Sequence, residues 1–185
     1  MMTVQVDPNS KLIELGGGGN PALPPRCRGG NSLNVDVAQV NGPDGQPMVD
    51  VIHDFNHPLP FTDNEFDASL SVFALEHISY RNIRSFLKEC FRIIKAGSKA
   101  VFVAPNTEKQ LEVILKRIKG DTKALPDKPD DDFAAYSCIL FGDQDYKGNH
   151  HCAFLSPTIA QQLFTEAGFY PVQIQPYGDL QTDMV

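Results

Sequence analysis

The chain of 185 residues carries 16 Lys+Arg against 23 Asp+Glu, a formal net charge of −7, and is 42% hydrophobic and 21% charged. That length can bury a core as one domain of roughly 100–200 residues, and the even mixture of apolar and charged residues excludes global disorder and a fibrous architecture. The acidic balance, without a basic cluster, argues against a nucleic-acid partner but does not exclude one held on a local patch. No apolar run approaches the ~20 residues of a membrane span, and residues 1–8 lack a cationic or apolar leader, so the expected setting is cytoplasmic, with no membrane partner. Cys27, Cys90, Cys138 and Cys152 form no C-x-x-C pair and are read as free thiols.

In chain order, Lys11-Leu12-Ile13-Glu14-Leu15 is a short apolar run that stops at four glycines, residues 16–19, as a buried strand does at a tight turn. Residues 32–37 and 49–55 are β-branched-rich runs, each closing near an acid, Asp36 and Asp54. Residues 66–73 form a fourth strand candidate. Ile83, Phe86, Leu87, Cys90, Phe91 and Ile94 then fall on one helical stripe, with Lys95 and Gly97 as a cationic last turn and stop. Strand character returns at 99–104, and this strand, helix, strand succession reads as a crossover unit of a parallel sheet.

A further helix is expected over 108–119, with Leu111, Ile114, Leu115 and Ile118 on one face. Residues 120–153 read as a variable insertion, rich in Asp, Pro, Lys and Gly, in which only 133–141 is apolar enough to be ordered by burial. Ser156-Pro157-Thr158 starts a last helix, Gly168 stops it, and 169–177 is expected as the final strand, Val172 and Ile174 alternating with Gln173 and Gln175.

In an open parallel sheet, ligands collect at the carboxyl ends of the strands. The glycine turn, Asp36 and Asp54 all fall there: glycines admit a ligand close to backbone N–H groups, one carboxylate can accept both ribose hydroxyls, and the other an adenine amine. A dinucleotide fingerprint starting at Gly16 would end on Pro21, which disfavours a nicotinamide-dependent oxidoreductase.

With these residues in place, the sequence resembles the class I S-adenosylmethionine-dependent methyltransferases, in particular small single-domain ones. The resemblance rests on Glu14-Leu15-Gly16-Gly17-Gly18, Asn34-Val35-Asp36, His53-Asp54-Phe55, the stretch 59–67, Leu75-Glu76-His77, the run 89–97 (similar to E-x-x-R-x-L-K-P-G-G), and Phe154-Leu155-Ser156-Pro157 with Ala167-Gly168-Phe169. It implies an α/β, Rossmann-like three-layer sandwich over 1–185: a mostly parallel seven-stranded sheet with an antiparallel final strand. Residues 20–30, with Pro21, Pro24 and Pro25, replace most of the family's first helix, which is expected to be shortened or missing.

The resemblance further implies S-adenosylmethionine as cofactor, with Gly16 and Gly18 beside its methionine part, Asp36 on the ribose, and Asp54 with Phe55 at the adenine. Glu14 joins this set as a brace of the glycine turn. For acceptor deprotonation the candidates are His77, after the fourth strand, and His150 or His151, before the last helix. Their bland alternatives are a helix-orienting role for His77 and a solvated loop for the pair. No metal site is expected, since His150, His151 and Cys152 lack a fourth ligand. Tyr136, Phe141 and Tyr146 could line an acceptor site, and 120–153 is expected to act as a mobile lid carrying His150 or His151. The expected partner is a small-molecule acceptor, and the rival reading is a non-catalytic cofactor-binding or partner-regulating module.

Overall fold

The computed structural model describes residues 9–121, 123, 131–146, 148–177 and 183–184. They divide into two compact units, residues 1–74 with 85–102, and residues 75–84 with 103–185. Of the expected lid, residues 122, 124–130 and 147 lie outside the described residues.

The first unit is built on β1 (Leu12–Leu15), β2 (Ser32–Asp36), β3 (Val51–Ile52) and β4 (Phe66–Val72), followed by most of α1 (Ile83–Ile93) and of β5 (Ile94–Pro105). The strands stand in the order β3-β2-β1-β4-β5. β1 pairs parallel with both β2 and β4, and β2 with β3. Every residue of β1 is buried, as suits a central strand covered on both faces. From α1 the core takes Ile83, Phe86, Leu87, Cys90 and Ile93, whereas Phe91, expected on the stripe, is 44% exposed.

The helix also ends earlier than the sequence suggests. Its last carbonyls need no glycine cap, because Arg92 O accepts from Asn64 N–H at 2.9 Å and Ile93 O from Glu65 N–H at 2.8 Å. Lys95 and Gly97 therefore belong to β5, with Gly97 at φ 79°. The third expected strand contracts to Val51–Ile52, since Asp50 turns its carboxylate to the amides of Arg26, Cys27 and Asn34. Between β1 and β2 the described backbone forms one 3-10 turn, Arg26–Arg28, and no α-helix. Pro21, Pro24 and Pro25 supply no N–H for one.

The second unit holds a 3-10 turn (Leu75–His77), α2 (Thr107–Ile118), α3 (Asp132–Phe141), α4 (Pro157–Ala167), β6 (Pro176–Tyr177) and β7 (Asp183–Met184). Asn106, Asp131 and Ser156 cap their helices through side-chain oxygens, and Gly168 closes α4 at φ 111°. The apolar stretch 133–141 is α3, and its Ile139 packs with Ile114 of α2, flanked by Val113, Tyr136 and Leu140. Of the expected α2 face only Ile114 is buried; Leu115 is 52% and Ile118 63% exposed.

The sheet differs from the sequence expectation in where its last strands lie: the five strands β3-β2-β1-β4-β5 form its body, the two-residue strands β7 and β6 extend it, and residues 169–175, expected as the final strand, form no ladder. Val172 and Ile174 are half-buried between exposed Gln173 and Gln175, so the alternation marks a half-covered extended segment, with Pro171 and Pro176 withholding two donors. Beyond β5 the described residues form a two-residue fringe: β7 pairs antiparallel with Ala104 and Pro105, and β6 antiparallel with β7.

Candidate functional site

At the carboxyl ends of the first unit's strands, the glycine turn is fixed by protein atoms on three sides. Gly16 N–H donates to Val35 O at 2.8 Å and Gly18 N–H to Asp36 Oδ2 at 2.9 Å. Asn34 Nδ2 donates to Gly18 O at 3.1 Å and to Met48 O at 2.7 Å. Gly16 sits at φ 84°, and a Cβ there would run into the Ala74 Cβ, with Phe55 3.8 Å away. A side chain at Gly17 would meet Asn34 and Pro21. The glycines are thus demanded by the packing of the turn itself, not by a ligand alone.

Glu14, 1% exposed, divides its carboxylate between Ala22 N–H and Leu23 N–H, both at 2.8 Å. Burial is the larger influence and raises its pKa, against the lowering pull of the two amides. It braces the segment after the turn, at residues 22 and 23, and not the glycine turn itself. Asp36 is half-buried at the end of β2, with Oδ1 accepting from Val37 N–H at 2.7 Å. Asp54 is exposed two residues beyond β3, and the Asn56 N–H is the main cause of its lowered pKa. Phe55 is 6% exposed, its ring 5.2 Å from that of Phe86.

Sequence reasoning assigned no part to Arg92, although it quoted the run containing it. The guanidinium donates to Glu89 through Nε and Nη2, to Asp63, and to the carbonyls of Leu59 and Phe61. Glu89 also accepts from Leu59 N–H at 2.8 Å. The Glu-x-x-Arg pair therefore clamps the loop that enters β4.

The second unit contains a cavity of about 310 Å³ whose lining includes Glu76, Thr107, Leu140, Phe141, His151 and Cys152. Glu76 is 3% exposed. Its carbonyl accepts from Cys152 N–H at 2.6 Å, tying the 3-10 turn to a residue 76 positions further on. Glu76, His77 and His151 present ligand atoms within 4.8 Å of one another. The rings of His77 and His151 lie 5.3 Å apart, and His77 Nε2 is 3.9 Å from Glu76 Oε1.

Of the three histidines named from sequence, two share this cluster. His150 contributes its carbonyl, which accepts from His77 Nδ1 at 3.1 Å, while the residue itself is exposed. His151 Nδ1 donates to Ile139 O at 3.2 Å. A carbonyl only accepts, so each ring is assigned its hydrogen on Nδ1. Phe141 lines the cavity, Tyr136 packs beside Ile114 and Ile139, and Tyr146 is exposed. Glu76 was missed as a partner because nothing local in the sequence announces a contact across more than seventy residues.

The methyltransferase domain family matches residues 16–102. A demethylmenaquinone methyltransferase of Tropheryma whipplei (strain Twist) is 33% identical over 109 residues, covering 54% of this chain and 42% of that protein. The chain thus spans less than half the length of the curated relatives it matches. Among solved structures, a methyltransferase of Haloferax volcanii, in complex with the Trm112 methyltransferase activator, superposes with TM-score 0.59 at 17% identity, covering 95% of this chain and 68% of that chain. A SAM-dependent methyltransferase of Methanosarcina mazei gives TM-score 0.59 at 15% identity over 97% and 92%.

These likenesses show the fold, an α/β Rossmann-like one with a mostly parallel sheet. Over residues 16–102, 87 of its 185 residues, the chain is similar to the methyltransferase domain family. No helix among the described residues is long and apolar enough to cross a membrane.

Proposed function

We propose that the protein transfers the methyl group of S-adenosylmethionine to a small-molecule acceptor. In this reading Gly16 and Gly18 admit the methionine part of the cofactor, Asp36 holds the ribose, and Asp54 with Phe55 meets the adenine. The observation that carries it is Asp36: a half-buried carboxylate at a parallel strand's end, already bonded to the glycine turn, so that one group fixes both the turn and a hydroxyl acceptor. The fit is supported by a side-chain-free turn beside the buried ring of Phe55. Bound there, the cofactor supplies an electrophilic methyl group with a good leaving group.

What remains for the protein is to align the acceptor and remove its proton. His77 and His151 take that task, because with Nδ1–H held by a carbonyl the basic nitrogen of each neutral ring is Nε2. The buried Glu76 carboxylate favours the imidazolium that results. Leu140 and Phe141 in the cavity wall suit an acceptor with an apolar body and one ionisable O–H or N–H. The demethylmenaquinone methyltransferase relative makes reduced quinones the first acceptors to try.

A second reading, a cofactor-binding module without turnover, is favoured by one feature, the absence of an α-helix between β1 and β2. Calorimetric titration with S-adenosylmethionine, S-adenosylhomocysteine and NAD, followed by transfer of a labelled methyl group to quinols, phenols and RNA, separates the readings. Binding of S-adenosylhomocysteine with turnover on a quinol or phenol is the expected result. Binding of NAD alone overturns the assignment, and tight cofactor binding with no transfer to any acceptor leaves the second reading.

A further inference from the structure

We propose that Glu76, His77 and His151 form a binding site for a divalent transition-metal ion, of the zinc, manganese or ferrous class. Two imidazoles and one carboxylate are a donor set that borderline divalent cations take, and their ligand atoms already lie within 4.8 Å of one another. Donors on a common ion at ~2.1 Å stand ~3.4 Å apart in tetrahedral geometry. His77 Nε2 and Glu76 Oε1, at 3.9 Å, approach that spacing, so small side-chain rotations close the site.

The groups behind the donors match what metal-ligating histidines require. Each ring gives its Nδ1 hydrogen to a backbone carbonyl, His77 to His150 and His151 to Ile139, which fixes the tautomer and leaves Nε2 as the coordinating atom. The backbone on both sides is tied as well, since Glu76 O accepts from Cys152 N–H and His151 N–H donates to Phe141 O at 3.0 Å. The cavity that Glu76 and His151 line leaves room for further ligands from water or an acceptor.

The role of the ion rests on the methyl-transfer reading: in the metal-bound form both Nε2 atoms are occupied and no longer act as bases, and an acceptor hydroxyl bound to the ion would lose its proton to water more readily than the free acceptor does. Metal binding itself does not depend on that reading. The test therefore measures both on one sample of the whole chain, stripped with a chelator and titrated with ZnCl2, MnCl2 and CoCl2, and separately with S-adenosylhomocysteine.

The expected result is one ion per chain, with affinity reduced on the order of 100-fold in Glu76→Gln, His77→Gln and His151→Gln while S-adenosylhomocysteine still binds. In the unsubstituted cobalt form, proton NMR should show two paramagnetically shifted, exchangeable imidazole N–H signals, one from each Nδ1. That readout needs no variant to fold. The proposal is overturned if none of the three ions binds, if the variants bind as the parent does, or if the cobalt form lacks the two signals. Failure of S-adenosylhomocysteine to bind alongside intact metal binding would instead remove the methyl-transfer reading and leave the site standing.

Discussion

The strand ends of the first unit and the cavity of the second are assembled in opposite ways. Gly16, Gly18 and Asp36 sit at or just beyond the ends of strands, and their positions follow from where each strand stops. Glu76, His77 and His151 are gathered from a 3-10 turn and a loop 74 residues further along, held by backbone hydrogen bonds rather than by a sheet. The first arrangement is rigid because the sheet is; the second depends on a few contacts between irregular segments. Substitutions at the glycine turn and the loop clamp should consequently damage stability, substitution of Asp36 cofactor binding, and those in the second region chemistry.

The largest effect is expected at Gly16. An added Cβ meets both a positive φ and the Cβ of Ala74, so Gly16→Ala should lower unfolding free energy by about 2–4 kcal/mol in urea denaturation, whether or not cofactor is present. A mutant as stable as the parent but unable to bind S-adenosylhomocysteine would show that the turn is reserved for the ligand and not for packing.

Next comes the Arg92 clamp. Arg92→Ala removes five hydrogen bonds and leaves Glu89, half-buried, without its main cationic partner; a loss of about 2–4 kcal/mol is expected. The hydrogen bond from Arg92 is the chief cause of the lowered Glu89 pKa. A depressed folded-state value stabilises the fold above the unfolded carboxylate value, ~4.3, and that contribution fades as pH falls through the folded value. Stability measured from pH 7 to 3 should therefore decline less steeply in Arg92→Ala than in the parent, and equal slopes would remove the clamp from the account.

How much of this was legible in the sequence divides along the same line. The abrupt end of an apolar run at four glycines, and acids closing two β-branched runs, are local signals, and β1 and β2 follow from them. Ser156, Pro157 and Gly168 bracket α4 for the same reason, since capping is a matter of one residue and its neighbours. Three features escaped because their causes are tertiary. α1 stops at Ile93 because amides from residues 64 and 65 satisfy its carbonyls. Residues 169–175 alternate in polarity yet find no strand to pair with. Glu76 became a partner of two histidines only when the chain after α3 returned to it.

A smaller effect, confined to binding, is expected at Asp36. Asp36→Asn keeps an oxygen for the Gly18 N–H but withdraws the charge, so S-adenosylhomocysteine should bind about 10–100-fold more weakly, equivalent to roughly 1.5–3 kcal/mol, with the urea midpoint little changed. Asp54→Asn should do less, because Asp54 is exposed and already bonded to Asn56. If the two variants weaken binding equally, or Asp54→Asn weakens it more, the ribose and adenine assignments need exchanging.

The smallest effect is expected at His150, and the contrast with its neighbour is what makes it informative. From sequence the two adjacent histidines are interchangeable candidates for the catalytic base. In the structure they differ: the His151 ring lies 5.3 Å from His77 and within the Glu76 cluster, whereas His150 is exposed and serves His77 through a backbone carbonyl that any residue would supply. His150→Ala preserves that carbonyl, so turnover on whichever acceptor is found should stay within about twofold of the parent, a change under ~0.5 kcal/mol. Under the proposed function, His151→Ala removes one of the two proposed bases and should lower kcat by about 100-fold or more while leaving S-adenosylhomocysteine affinity in place, since general acid–base groups contribute on the order of 10²–10⁴. The reverse ranking would mean that the segment before α4 rearranges when an acceptor binds and carries His150 inward. Losses of equal size in both variants would point to the loop's backbone, and not to either imidazole, as what the chemistry requires.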